Sequence, residues 1–412
     1  MPCRPIALLA VLGLAACDNS RPAGMPLVRI GEGALRVISA GNEVLWGIRD
    51  VVDLNGTTWV LTTTAPHIHG FEPTGGLSAR FGLNGAGPEE LRFPWSVWAG
   101  PQPGTVTVWD PGSLAALTFS GHGQLLSSSR TSTLGVVRSD ISMVTFGDPF
   151  RASKIPGAIV VARYASVVSH GGDLWRGRLF LVSDDGKDLA LIIDFASGLL
   201  GAQQRANAWM LASVPLWDGC PDGRIAVLDP ISRQLLMLSR TGRRLETIPL
   251  PWEPDALSDE ARLAYLVARI RAEAGDRNIT EAEILDHATE TARRGGHLFP
   301  AEEPFAVDVK CSPGQVWIQE FDPSGHPLGY GPLWRTVALG PRPTVFSRVL
   351  FPADFSPFRI SDSRAIGVVE DSVGFQRLAA VSLPLGLGPK KRYRSTVPMI
   401  PLSTKTTGES QP

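Results

Sequence analysis

Most apolar residues of this chain lie in short runs in which hydrophobic and polar positions alternate, and Gly, Pro, Asp or Ser separate the runs. A period of two is typical of half-buried β-strands, and the separating residues are those that favour tight turns. Ile48–Val52, Trp95–Trp98 and Val214–Trp217 are runs of this kind. The pattern therefore predicts an all-β protein over most of the chain.

A strand–turn–strand motif recurs along the sequence. Gly104–Gly123 aligns without a gap with Gly223–Gly242, and eight of the 20 aligned positions are identical. Gly56–Gly75 fits the same frame. Each copy, with the apolar run that precedes it, makes a unit of about four strands. The six copies begin at Gly56, Gly104, Gly157, Gly223, Gly314 and close to Arg364.

Six such units predict a six-bladed β-propeller over residues 35–388. A lone four-stranded sheet would leave both faces unburied, whereas blades that pack around an axis bury both and leave only short outer edges. Leu35–Ser39 is a candidate for the strand that joins the last blade to the first.

Two motifs connect the chain with a known family. Phe81-Gly82-x-x-Gly85-x-Gly87-Pro88-Glu89-Glu90-Leu91-x-x-Pro94 resembles the glycine-rich connector between blades of NHL-repeat-like six-bladed propellers, although Glu89 stands where that family usually has Gly. Val108-Trp109-Asp110, followed by Thr118-Phe119-Ser120 and Gly123, is similar to the family's blade pattern. The likeness extends over about residues 40–385. It implies a fold and a lipoprotein-like setting, but no single reaction, because the family hosts many functions.

Ser258–Gly296 interrupts the β pattern and predicts a helical hairpin inserted between blades 4 and 5. Ser258 is a candidate N-cap, and Thr280 with Glu283 forms a capping box. Apolar residues recur on one face of the first helix at Leu263, Leu266, Val267 and Ile270. Two placements are open: the hairpin lies across one end of the channel as a lid, or it packs on the flank of the propeller.

The first residues indicate export. Arg4 and the apolar run Ile6–Leu14 have the form of a signal peptide, and the run is too short to cross a bilayer as a helix. Leu14-Ala15-Ala16-Cys17 resembles the lipobox of bacterial lipoproteins, which implies cleavage before Cys17 and lipidation of its thiol. We therefore expect a lipoprotein signal peptide at residues 1–16 and a lipidated N-terminus with a linker at 17–34.

Composition and charge add further limits. The hydrophobic content is 43%, enough for a large core, and the formal net charge of −1 gives no electrostatic footprint for nucleic acid. Residues 389–412 lack periodicity and are expected to form a disordered tail. In an oxidising compartment Cys220 and Cys311 could pair, but strictly equivalent positions in neighbouring blades would exceed the Cα separation of about 7 Å that a disulfide allows. Their pairing stays open.

No catalytic, cofactor-binding or metal-binding set emerges from the sequence. His67 and His69 would face one side of a strand, but no third ligand converges with them. The glycines around Gly85 lack the Lys-Ser/Thr of a phosphate-binding loop. Both segments are expected to be structural.

Two groups of carboxylates remain. Asp110, Asp229, Glu320 and Glu370 recur after the second strand of a unit and are expected to bond within turns rather than to form a ring at the channel mouth. Asp50, Asp53 and Asp308 lie on or beside presumed inner strands and are the better candidates to line the channel.

The sequence favours a non-catalytic, membrane-anchored binding or assembly module in the bacterial cell envelope, facing the periplasm or the exterior. Its expected partners are the membrane, through the lipid, and a protein or glycan of the envelope. No cofactor is expected. The alternative is a metal-dependent lyase or lactone hydrolase with its site in the channel, because NHL-like propellers include such enzymes.

Overall fold

A computed structural model of the protein describes most of the predicted propeller. The signal peptide, Cys17 and the tail lie outside the described residues. The described ranges are 25–39, 45–130, 151–169, 172–184, 189–195, 215–230, 232–274, 279–295, 299–323, 330–340, 343–370, 375–384 and 387.

The described strands form six sheets, each built around antiparallel neighbours that follow one another along the chain. Two short strands, β1 (Leu27–Arg29) and β2 (Leu35–Val37), precede the first sheet and are separated by a 3-10 turn at Glu32–Ala34. The first two sheets contain β3 (Ile48–Leu54), β4 (Thr57–Thr62), β5 (Ile68–Phe71), β6 (Leu77–Phe81), β7 (Ser96–Ala99), β8 (Thr105–Asp110), β9 (Ala115–Ser120) and β10 (Leu125–Arg130). The next two contain β11 (Ala152–Ile155), β12 (Ala158–Ser169), β13 (Gly172–Ser183), β14 (Leu189–Phe195), β15 (Leu216–Gly219), β16 (Ile225–Asp229), β17 (Gln234–Leu238) and β18 (Arg244–Pro249). The last two contain β19 (Asp308–Ser312), β20 (Gln315–Phe321), β21 (Tyr330–Ala338), β22 (Thr344–Leu350), β23 (Phe355–Ile360), β24 (Arg364–Glu370) and β25 (Gln376–Ser382).

The sheets close into a ring. The first strand of each sheet contacts the first strands of both neighbouring sheets, and β23 of the last sheet contacts β3 of the first. β2 completes the last sheet as its outermost strand, with Leu35 opposite Val381. The predicted joining strand at Leu35–Ser39 is therefore confirmed, and the fold is a six-bladed β-propeller.

Apolar side chains fill each of the six interfaces between neighbouring blades. In β16, Val227 packs toward the third blade, whereas Leu228 packs toward the fifth. In β20, Ile318 packs toward the fourth blade and Trp317 toward the sixth. Middle strands are thus buried on both faces, because successive side chains point to opposite sides of a sheet.

The helical hairpin lies between β18 and β19, that is, between the fourth and fifth blades in chain order. Its helices are α1 (Asp259–Ala274) and α2 (Glu281–Gly295). The Ser258 hydroxyl accepts the Ala261 amide at 3.0 Å, as expected of an N-cap. Thr280 and Glu283 bond each other's backbone amides, so the predicted capping box is also confirmed. No helix among the described residues is long and apolar enough to span a bilayer.

Candidate binding site at the channel entrance

A cavity of about 160 Å³ lies at the end of the central channel where the innermost strands begin. All six blades contribute to its wall, each through its innermost strand or the residue just before that strand. One lining residue from each blade in turn is Asp50, Ser96, Arg151, Trp217, Asp308 and Arg359. We refer to this space as the entrance cavity.

Arg151 links three blades across the cavity. Its guanidinium nitrogens lie 3.0 Å from Asp218 of the fourth blade and 3.0 Å from Asp308 of the fifth. The other oxygen of Asp308 lies 2.5 Å from the ammonium of Lys310. These charges are largely buried, so the pairs are screened less than surface ion pairs.

Arg359 likewise links three blades, on the opposite side of the cavity from Arg151. Its Nη2 lies 2.7 Å from Asp50 and also donates to the carbonyl of Val97, while its Nε donates to the carbonyl of Val51. One side chain of the sixth blade thus connects the first and second blades. The third nitrogen of this guanidinium, Nη1, has no hydrogen-bond acceptor among the described residues.

Two carboxylates also bond the backbone of the next blade. Asp50 accepts the amide of Val97 at 2.9 Å, and Asp218 accepts the amide of Cys311 at 2.8 Å. Ser153 extends the pattern by accepting the amide of Gly219 at 3.0 Å. These side chains satisfy amides that would otherwise be buried without a partner, a loss that costs about 1–3 kcal/mol each.

Burial and charge shift the two channel carboxyls in opposite directions. Burial raises the pKa of Asp50 above its ordinary value of 3.8, and the attraction of Arg359 and the backbone bonds offset this only in part. Burial also acts to raise the pKa of Asp308, but the attraction of Lys310 and Arg151 outweighs it and the pKa is lowered. Asp308 is therefore held ionised more firmly than Asp50.

Aromatic rings form the rest of the wall. The guanidinium of Arg49 lies 4.4 Å from the ring centre of Phe93 and 4.2 Å from that of Trp95, and it donates to the carbonyl of Pro94. This packing holds the cation in place through cation–π contacts. Trp217 and Phe358 contribute further aromatic surface.

The entrance cavity carries more cations than carboxylates. Four basic side chains and two carboxylates line it. A third carboxylate, Asp218, is not among the lining residues but contacts Arg151. The four basic residues are Arg49, Arg151, Lys310 and Arg359. The described lining is therefore electropositive.

The sequence identified only part of this site. Asp50 and Asp308 line the entrance cavity as predicted, whereas Asp53 is paired with Arg364 and is absent from the described lining. The basic residues and Asp218 were missed. The sequence signal that could have found some of them is a basic residue flanked by apolar residues in an inner strand, as Lys310 is by Val309 and Cys311.

The two histidines lie in the first blade, outside the described lining of the entrance cavity. Both ring nitrogens of His67 are engaged, one with the carbonyl of Thr62 at 2.9 Å and the other with Asn84 at 2.6 Å. His69 lies in β5 opposite Val60. No group of three or more His, Cys, Asp or Glu side chains in the described part of the chain is placed to hold a metal ion.

The glycine-rich segment is a connector between the first two blades, as expected. Gly82 has φ of +82°, and a Cβ there would lie 2.9 Å from Leu91, which is fully buried in the interface. The amide of Gly87 donates to the Glu90 carboxylate at 2.7 Å. These bonds hold the loop on itself rather than around a phosphate.

Asp110 bonds a turn, as its repeat position predicts, and it also fastens the connector. The buried carboxylate accepts the amides of Arg92, Phe93 and Gly112 at 2.8–2.9 Å. The turn prediction is wrong for Glu320, because its carboxylate pairs with arginines of β21 and β22. The other three repeat carboxylates all have side-chain partners. These are Ser232 for Asp229, Arg335 and Arg348 for Glu320, and Gln376 for Glu370.

The helical hairpin lies beside the entrance cavity. Tyr265, Leu266 and Ala288 pack with Val307, and Val307 also lines the cavity. No residue of α1 or α2 is among the described lining residues. The hairpin therefore contacts the rim of the cavity without lining it, and the contacts do not decide between the two placements considered from the sequence.

Comparison with known proteins assigns the chain to no family. No protein family and no curated protein matches the sequence. Among solved structures, a member of the DUF4221 family from Bacteroides vulgatus is 9% identical, with a TM-score of 0.48 over 84% of this chain and 97% of that one. A protein of Bacteroides fragilis assigned as exported is 8% identical, with a TM-score of 0.45 over 87% and 99%. An inactive variant of virginiamycin B lyase from Staphylococcus aureus, bound to quinupristin, is 10% identical, with a TM-score of 0.41 over 85% and 99%.

The two cysteines are placed close enough to pair. Cys220 directly follows β15 and Cys311 lies in the neighbouring β19, with their Cα atoms 4.8 Å apart and their sulfurs at bonding distance. The separation falls within the range that a disulfide allows, because the two positions are not strictly equivalent in their blades. We therefore propose the disulfide Cys220–Cys311.

Thiol labelling tests this proposal. The exported protein, denatured without reductant, is expected to show no labelled cysteine at position 220 or 311, and both should label after reduction. Peptide mass mapping would assign the sites. Labelling of both cysteines before reduction would rule the bridge out.

Opposite pH dependences are expected for Asp50→Asn and Asp308→Asn. A carboxyl whose folded pKa is lowered stabilises the protein above its unfolded value and loses that contribution as the pH falls. The cost of Asp308→Asn should therefore reach about 2 kcal/mol near pH 7 and shrink below pH 3.8. A carboxyl whose folded pKa is raised behaves in the opposite way, so the cost of Asp50→Asn should decrease as the pH rises above 3.8.

The free energy of unfolding in urea between about pH 2 and pH 7.5, measured for wild type and both variants, checks the two slopes. Slopes of the same sign for the two variants would contradict the assignment of the charges in the entrance cavity.

Proposed function

We propose that this protein is a lipid-anchored binding module of the bacterial cell envelope that engages a protein or glycan partner at the entrance cavity. The observation that carries the proposal is the cavity itself, an electropositive, aromatic-walled space to which all six blades contribute. Ligand sites are typically concave, with apolar walls and a few placed polar groups. The entrance cavity has these properties.

The lipobox-like Leu14-Ala15-Ala16-Cys17 supports an anchor at the N-terminus. Two or three acyl chains would hold a protein at the membrane almost permanently. The proximity of Cys220 and Cys311 is consistent with an oxidising compartment outside the cytoplasm.

The anchor would also place the propeller close to the bilayer. β1 pairs in parallel with β22, so the described chain starts at the outer edge of the fifth blade. Eight peptide units between Cys17 and Met25 span at most about 28 Å when fully extended. We therefore propose that the outer edge of this blade lies near the membrane surface.

The alternative, a metal-dependent lyase or lactone hydrolase, receives less support. Such an enzyme would need channel side chains that are available to coordinate a cation. Asp50 and Asp308 are instead bound by Arg359 and Lys310, and the excess of basic groups disfavours a divalent ion. No observation on the described residues favours the enzymatic function.

Substitution Cys17→Ser tests the anchor. Because the serine hydroxyl cannot form the thioether, the variant should move from the membrane fraction to the soluble envelope fraction, and it should lose incorporation of labelled palmitate. Conversely, a Cys17→Ser protein that stays in the membrane fraction and still carries the label would exclude lipidation at this position.

Photo-cross-linking tests the binding face. A benzoylphenylalanine at Phe358, in the lipidated full chain in cells, should capture a discrete partner. The same probe at Leu126, which is 46% exposed on the outer strand of the second blade, is the matched control and should capture none. Equal capture at both positions, or none at Phe358, would count against a binding site at the entrance cavity.

A further inference from the structure

We infer that the group that enters the entrance cavity is a small organic anion, a carboxylate or phosphate carried on a body about the size of one six-membered ring. This inference rests on the proposed function, since it names the chemistry of the ligand at that same site. The charges, the walls and the volume of the cavity each restrict the ligand.

The charge of the lining selects for an anion. Four basic side chains line the cavity against two carboxylates, Asp50 and Asp308, and each of these carboxylates also accepts a backbone amide. A concave site with low-dielectric walls focuses the field of an unbalanced charge and attracts ions of opposite sign. Guanidinium groups also match the planar geometry of carboxylate and phosphate oxygens.

Two basic groups retain donors for such an oxyanion. Arg359 uses Nε and Nη2 in its described bonds, so Nη1 has two N–H groups without an acceptor among the described residues. Lys310 is 8% exposed, and its described hydrogen bond goes to Asp308 alone. An ammonium carries three donors, so a buried cation with one bonded acceptor is suited to receive another.

The walls and the volume define the rest of the ligand. Trp95, Trp217 and Phe358 present apolar ring surface beside the cations. The cavity of about 160 Å³ compares with the engineered cavity of about 150 Å³ that binds benzene. A single planar or pyranose-like ring with one oxyanion fits both the space and its mixture of apolar and cationic surface.

Calorimetry with matched charge pairs on the wild-type protein tests the inference. Benzoate against benzamide, and glucuronate against glucose, differ in charge with little change of size; phenyl phosphate tests the second oxyanion. The charged member of at least one pair should bind about tenfold or more tightly than its neutral partner, because charge-assisted bonds replace neutral ones. Its affinity should fall as salt is raised from 50 to 500 mM, whereas that of the neutral partner should not. The pair that responds shows whether the ring is aromatic or a sugar.

Variants locate the binding. Arg359→Gln and Lys310→Met should each weaken binding of the charged probe about tenfold or more. Arg364→Gln, which removes one arginine of the sixth blade outside the cavity lining, should leave it unchanged. The wild-type charge pairs keep the test decisive if a variant fails to fold.

Equal affinity within every pair, or no binding of any charged probe at millimolar concentration, would overturn the inference. So would equal loss in the Arg364→Gln control. These failures differ from failure of the proposed function. A partner cross-linked from position 358 without anion binding would sustain the binding module and reject the anion, whereas anion binding without a cross-linked macromolecule would sustain the anion and reject the macromolecular partner.

Discussion

The apolar faces that no single blade can bury alone constrain the whole structure. Alternate residues of one strand belong to different interfaces, as Val227 and Leu228 of β16 show. Full burial of such a side chain contributes about 1.5–3 kcal/mol, but only while the neighbouring blade is in place. The ring must therefore close, and β2 provides the last strand of the sixth blade from a segment that precedes the first.

Closure has a polar consequence at the axis. It brings six innermost strands together around the channel, where some backbone amides of one strand face the preceding blade rather than a ladder partner. Asp50, Ser153 and Asp218 accept these amides, and Arg359 donates to carbonyls of the first and second blades. Since buried polar groups without partners are costly, the entrance cavity has to be lined by polar side chains of some kind.

Much of the fold could be predicted from the sequence because its determinants are local and repeated. The period of two, the repeat that begins at Gly104 and Gly223, and the caps at Ser258 and Thr280 each depend on residues close together in the chain. The candidate site could be predicted only in part, because its contacts are not local. Asp50 and Arg359 are 309 positions apart. The sequence around either residue does not indicate which charged residue of another blade it will contact.

The same non-locality explains the other gaps. Arg151 lies beside residues that carry no visible copy of the motif, yet it joins the third, fourth and fifth blades. Whether Cys220 and Cys311 can pair depends on their positions within their blades. A difference of one residue between these positions changes the distance between the two cysteines enough to allow or prevent a disulfide. A repeat alignment of low identity does not resolve such an offset, so the sequence left the pairing open.

Stability alone does not account for the charges of the entrance cavity. Replacement of a buried ion pair by apolar residues of similar volume is often neutral or stabilising, so a propeller under selection for stability only could fill its axis with aliphatic side chains. The amides at the axis require acceptors, which explains Asp50 and Asp218 but not an excess of arginine and lysine. Arg49, held between Phe93 and Trp95, adds a further cation to the lining. The cost of placing this cation in the lining is explained if the cavity binds a negative group. A cation that is already fixed in place loses little further conformational freedom when the ligand binds.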